Sequence, residues 1–179
     1  MSRIELTNPD QITDERAETL AQIKGAFGVV PNMFKAVAHS PAALNSMWAQ
    51  FGALGGGTLG AKIGEMVAVA VADQNRCDYC LSAHTMLGRK AGATAEEMAS
   101  AQGGKSDDPR TSAVLTLATA LVQKRGQIAD TDVQAARDAG LSQEEIVETV
   151  AHVALNVFTN YINVALDVPV DFTRVPLTK

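Results

Sequence analysis

Helix starts are written into this chain at five places. Ser40-Pro41 and Asp108-Pro109 each set a capping side chain ahead of a proline suited to the first helical turn, and Asp130 is placed to cap another helix. Thr94 with Glu97 and Ser142 with Glu145 have the spacing of capping boxes. Matching stops follow at Gly55-Gly56-Gly57, Gly92, Gly103-Gly104 and Gly140. Between starts and stops, apolar residues recur at helical spacing, as in Val114, Leu115, Leu117, Ala118, Leu121 and Val122. Alanine, the best helix former, fills 29 positions while aromatic residues number only eight, and runs of alternating β-branched and aromatic residues are hard to find. The fold class expected is all-α, with eight to nine helices.

The first helix is expected from Thr13 or Asp14 to the Gly25–Gly28 stretch, a short one after Pro31, and further ones from Ala42 to about Leu54, from Thr58 or Gly60 to before Cys77, and from Asp78 to Ala91. The second half reads as Pro109 onward, Asp130 to Ala139, and Ser142 to about Leu166, with Pro169 and Pro176 in an irregular tail. No internal repeat stands out. The 179 residues suffice for one domain spanning 1–179, in which 1–57 form an N-terminal helical extension on a 58–103 core, followed by C-terminal helices in 108–168.

Charge narrows the partners. With 15 Lys and Arg against 20 Asp and Glu the net charge is −5, and no basic cluster exceeds the pairs Arg89-Lys90 and Lys124-Arg125, so no nucleic acid is expected. The longest apolar run, Met66 to Ala72, is far short of the roughly 20 residues of a spanning helix. Met1-Ser2-Arg3-Ile4-Glu5 has no apolar leader core, so a cytoplasmic protein without membrane contact is expected.

The chemistry concentrates on the two cysteines, Cys77 and Cys80, in C-D-Y-C. Chance placement gives this spacing to roughly one pair in a hundred. A bridge across it would close a loop too short to stabilise the fold much, which favours a redox couple over a staple. His84 follows Cys80 by four residues, so on one helix it lies one turn from Cys80 and two from Cys77. Sulfurs in a first helical turn are near backbone N–H groups and the positive end of the dipole, and a thiolate is the reactive form. Cys80 has the nearer base and is expected to be the nucleophile, with Cys77 resolving it. Glu65 is the only charge between Ile63 and Ala72, and an isolated carboxylate there needs a partner such as His84 or else faces solvent at one end of the stripe.

Together Glu65, Cys77, Cys80 and His84 spell E-x11-C-x2-C-x3-H, which resembles the AhpD-like alkylhydroperoxidase and carboxymuconolactone decarboxylase superfamily. The flanking C-D-Y-C-L-S-A-H-T and the upstream F-G-V-V-P-N-M-F are similar to its peroxidase-related branch. The resemblance implies a helical fold assembled as a homotrimer or homohexamer. It also implies hydroperoxide reduction, with sulfenic acid formed on Cys80 and resolved by Cys77, and a relay from Glu65 through His84 and water that deprotonates Cys80. The reductant implied is a dithiol, of which a lipoylated protein is one form, and no cofactor or metal is implied. This chain carries Tyr79 where the best-known AhpD-like proteins have a histidine.

Other readings compete. Cys77, Cys80, His84 and Glu65 could supply a two-sulfur, one-nitrogen, one-oxygen zinc set, or the helical oligomer could be a non-redox enzyme or scaffold. His152, Asn156, Asn160, Asn163 and Asp167 trace a polar stripe on an otherwise apolar helix, either lining a cleft or satisfied internally at a helix or subunit contact. His39 is expected to meet helix-end carbonyls, Gly55-Gly56-Gly57 to be a hinge, and Met33, Met47, Met66, Met86 and Met98 to fill the core.

Overall fold

A computed structural model describes residues 2–178. Among the described residues a 3-10 turn at Pro9–Gln11 precedes nine helices: α1 Arg16–Phe27, α2 Asn32–Val37, α3 Pro41–Gly55, α4 Gly60–Gln74, α5 Asp78–Lys90, α6 Ala95–Gln102, α7 Pro109–Gln123, α8 Asp130–Asp138 and α9 Gln143–Ala165. No strand occurs among the described residues. Ser40 and Asp108 accept from Ala43 N–H and Thr111 N–H, and both capping boxes close reciprocally. Asp130 does not cap α8. It occupies the first helical position, Ala129 is the residue before it, and the Asp132 carboxylate accepts Ala129 N–H at 2.8 Å.

The α4 helix is the axis of the molecule, packed against α5, α6, α7 and α9. Met66 through Asp73 are all buried, the signature of a helix with no solvent face over that stretch. Fully burying residues such as Val67, Val69 and Val71 contributes on the order of 1.5–3 kcal/mol each.

The two halves of the chain repeat a unit, which the sequence reading misses. Ala91-Gly92-Ala93-Thr94-Ala95-Glu96-Glu97-Met98 corresponds to Ala139-Gly140-Leu141-Ser142-Gln143-Glu144-Glu145-Ile146. Gly92 and Gly140 share φ = 91°, where a side chain would be strained, and each precedes a capping box. One step earlier, Arg76 and Arg125 both take positive φ, and the N–H groups that follow them, of Cys77 and Gly126, donate to the carbonyls of Ala72 and Leu121. Outside the turns the copies share only helical apolar character, which leaves little for a sequence comparison to find.

Residues 168–178 run back across the molecule as a strap. Thr178 donates to Asp73 through both its N–H and its hydroxyl, Gln102 bridges Asp73 and the Pro176 carbonyl, and Val175 N–H donates to Ser82 Oγ. Burial pushes the Asp73 carboxyl up, but the hydrogen bonds from Thr178 and Gln102 outweigh it and hold the group below its ordinary range. A carboxylate with a depressed folded value stabilises fully above its unfolded value and loses that contribution as pH falls through the folded one. Acid below the ordinary carboxylate range should therefore loosen the strap, and Asp73→Asn should do so at neutral pH. Faster amide exchange confined to residues 172–178 is the expected readout.

Candidate active site

Cys77 is the N-cap of α5, and its sulfur accepts Cys80 N–H at 3.2 Å. This places both sulfurs at the positive end of the helix, as the spacing predicts. The two sulfurs are bonded to each other, across a Cα–Cα distance of 5.4 Å. One turn on, His84 Nδ1 lies 2.7 Å from Glu65 Oε2, so α4 and α5 bring the carboxylate and the imidazole together. The ring donates Nδ1–H to the carboxylate, which leaves Nε2 as the acceptor. Glu65 therefore has the partner that its position in an apolar stripe requires.

The cysteines differ in what they face. Cys80 lines an apolar pocket with His84, Ala83, Leu87 and Asn163, beneath Phe27, Phe34, Phe51, Tyr79 and Phe172. The void is about 30 Å³, room for little more than one water-sized group. Cys77 is wholly buried and does not line it. The F-G-V-V-P-N-M-F segment contributes Phe27, Pro31, Met33 and Phe34 to the wall. A sequence likeness thus becomes a physical role, that of roofing the sulfur with apolar surface.

Tyr79 has structural partners in the histidine's place. Its hydroxyl oxygen accepts Met33 N–H at 3.1 Å, and its ring meets Phe172 edge-on at 5.5 Å. Burial pushes the phenol well above its ordinary value, so it stays neutral. Asn32 ties the same wall to the strap through the Asp171 carboxylate and the Pro169 carbonyl.

The polar stripe on α9 divides. His152 and Asn156 line a second, more polar cavity of about 80 Å³ behind Glu65 and His84. Gly64 admits the His152 ring, since a Cβ there would stand 2.8 Å from its Cε1. Burial lowers the His152 imidazole, against the pull of Glu148 and Glu65. Asn160 accepts from Asn75 at 2.9 Å and is an internal contact. Asn163 donates its amide to Cys80 Sγ at 3.2 Å, a partnership that no motif signals and that only the stripe spacing hints at. Asp167 lies beyond the helix and is exposed.

His39 departs from expectation: its Nε2 meets the carbonyl of Glu5, in the N-terminal segment, at 2.7 Å. The strap residue Phe172 is a pocket residue that helix-based reasoning misses, because the tail carries no periodic pattern. Among the described residues no three His, Cys, Asp or Glu side chains are grouped so as to hold a metal ion. None of the helices described is long and apolar enough to cross a membrane.

Comparison with known proteins adds to this picture. A sequence profile of the carboxymuconolactone decarboxylase family matches residues 41–106 and again 104–171, one match on each copy of the repeat. An uncharacterized peroxidase-related protein from Ralstonia eutropha JMP134, described as an alkylhydroperoxidase AhpD core, superposes with a TM-score of 0.85 at 24% identity over 95% of this chain and 92% of its own. A peroxidase-related protein from Silicibacter sp. TM1040, also uncharacterized, gives 0.83 at 24% identity, covering 94% and 91%. A cysteine-to-alanine variant of the debrominase Bmp8, in complex with 2,3,4-tribromopyrrole, gives 0.80 at 18% identity, covering 96% and 94%. Among curated proteins no match is found.

Proposed function

Since the chain belongs to the carboxymuconolactone decarboxylase family, we propose that it is a thiol-dependent peroxidase of the AhpD-like kind, reducing hydroperoxides with the Cys77/Cys80 dithiol. The observation that carries this reading is the placement of Cys80 in an apolar pocket beside His84, whose Nδ1 is held by Glu65 at 2.7 Å. A thiolate needs a base at hand to form and an acid to protonate the leaving oxygen, and one oriented imidazole serves both ends.

The sequence of bonds is as follows. His84 takes the thiol proton of Cys80, directly or through water, and the thiolate attacks the hydrogen-bearing oxygen of the hydroperoxide. The O–O bond breaks, an S–O bond forms, and the leaving alkoxide takes the proton from His84 as alcohol. Cys77 then attacks the sulfenic sulfur of Cys80, the S–S bond forms, and hydroxide leaves with the Cys77 proton as water. Two thiols and one hydroperoxide become a disulfide, an alcohol and water. An external dithiol, a lipoylated protein being one candidate, returns the pair to the reduced state by exchange. A reducing compartment such as the cytoplasm suits a pair that must be reduced at every turnover. The decisive assay is peroxide consumption with a panel of dithiols that includes dihydrolipoamide. Consumption with at least one donor supports the reading; failure with all of them, or full function in a Cys77→Ser/Cys80→Ser double variant, moves it to a non-redox enzyme or scaffold.

The α9 helix supports a homo-oligomer, for which the family resemblance implies a trimer or hexamer. Val147, Val150, Ala154, Val157, Tyr161 and Val164 recur at steps of three and four, and Val147 and Tyr161 are 66% and 62% exposed. That spacing is the apolar seam by which one helix packs on another. Sedimentation at micromolar concentration should show an oligomer, and the Val150→Glu/Tyr161→Glu double variant should sediment as a monomer. A monomeric wild-type chain would end this proposal.

A further inference from the structure

Of the buried amides on α9, Asn156 donates to the His152 carbonyl and Asn160 bonds Asn75, whereas Asn163 turns its NH2 to Cys80 Sγ at 3.2 Å. Sulfur there has no hydrogen to offer, so the amide must present its N–H and not its oxygen. The Asn163 oxygen has no hydrogen-bond partner among the described residues and is buried, on a residue only 3% exposed that lines the Cys80 pocket. An unpaired buried acceptor is costly to the fold, and α9 carries one beside the redox sulfur.

Building on the peroxidase reading, we propose that Asn163 is a catalytic residue: its NH2 stabilises the Cys80 thiolate, and its oxygen accepts the O–H of the hydroperoxide, holding the oxygen to be transferred beside the sulfur. A neutral or bonded sulfur is a weak acceptor, but a thiolate makes a charge-assisted bond, so the contact strengthens in the reactive state. The hydrogen-bearing oxygen is the one that Cys80 attacks and that remains on sulfur as sulfenic acid. Once His84 has taken the thiol proton it is a donor, aimed at the departing alkoxide. The Tyr79 oxygen is already engaged by Met33. Asn163 Oδ1 is then the free oxygen acceptor among the side chains lining the pocket. The titratable groups around the sulfur are Cys77, Tyr79 and His84 on or beside α5, Glu65 of α4 behind His84, and Asp171 of the strap beyond Tyr79.

The test uses the full-length reduced protein and two variants. Asn163→Leu keeps comparable volume and removes both polar atoms; Asn163→Asp keeps the shape and an acceptor but loses the donor to sulfur. Ultraviolet absorbance of the thiolate is titrated against pH, with circular dichroism to establish the fold. Loss of the thiolate absorbance on mixing with cumene hydroperoxide is then timed in each protein. The thiolate midpoint should rise by about one pH unit in Asn163→Leu and at least as far in Asn163→Asp, where a carboxylate faces the thiolate. The oxidation rate at a pH above all midpoints should still fall roughly 10- to 100-fold in Asn163→Leu, which has lost the acceptor. A folded Asn163→Leu protein with an unmoved midpoint and an unchanged rate overturns the proposal; a moved midpoint with an unchanged rate overturns the acceptor half. The titration needs no peroxide, so a wild-type chain inert to hydroperoxides defeats the peroxidase reading while the midpoints still judge the bond to sulfur.

Discussion

Replacing Cys80 by serine should abolish reaction with hydroperoxide, whereas Cys77→Ser should still consume about one equivalent and stop with sulfenic acid on Cys80. The asymmetry runs against the commoner C-x-x-C arrangement, in which the first cysteine, at the helix start, is the exposed nucleophile. Here the N-cap cysteine has the backbone donor, from Cys80 N–H, but is entirely buried and does not line the pocket. Cys80 has the pocket, the imidazole and the Asn163 amide. A thiolate that hydroperoxide cannot reach does not react, whatever its ionisation, so access decides between the two sulfurs. Mass spectrometry of both serine variants after brief exposure to peroxide checks the assignment. Oxidation on Cys77 in the Cys80→Ser protein, with none on Cys80 in the Cys77→Ser protein, reverses it.

How much of this was legible in the sequence depends on whether a feature is local. Capping boxes at Thr94 and Ser142, the Ser40-Pro41 and Asp108-Pro109 starts and the approach of His84 to Glu65 all follow from a few neighbouring residues or from one helix facing the next. Asp130 misled because any of several acidic residues can satisfy a helix start, and Asp132 reaches the Ala129 N–H instead. What the sequence hid lies in contacts between distant segments. Asn163 meets Cys80 across 83 residues, and Asp171 meets Asn32 across 139. The strap has no periodicity to announce that Phe172 will meet the Tyr79 ring edge-on, and a stripe of amides does not say which of them meets sulfur. The repeat explains part of the design: each copy supplies the same helix–turn–helix frame, yet the first carries the cysteines and the second sends α9 past them with Asn163.

His84→Gln and Glu65→Gln should separate the base from its support. A glutamine at 84 can still donate to the Glu65 carboxylate, so it spares the fold the roughly 1–3 kcal/mol of stranding that group without a partner, but it cannot take a proton from Cys80 or return one to an alkoxide. Loss of a positioned acid–base group lowers rates by about 10²- to 10⁴-fold, and His84→Gln should fall in that range near neutral pH. Raising the pH should recover part of the loss, because hydroxide can ionise Cys80 without help while protonation of the alkoxide stays impaired. In Glu65→Gln the imidazole keeps a hydrogen-bond acceptor at Nδ1 but loses the charge that stabilises its protonated form. Activity should drop less, by about 10- to 100-fold, since the ring stays oriented but is a weaker proton acceptor. Activity per folded molecule is the telling measurement, since a purely structural Glu65–His84 contact would change the amount of folded protein and leave the rate of the folded fraction alone. If both variants fold and retain wild-type activity, the pair is not the proton carrier and the relay must be sought elsewhere in the pocket.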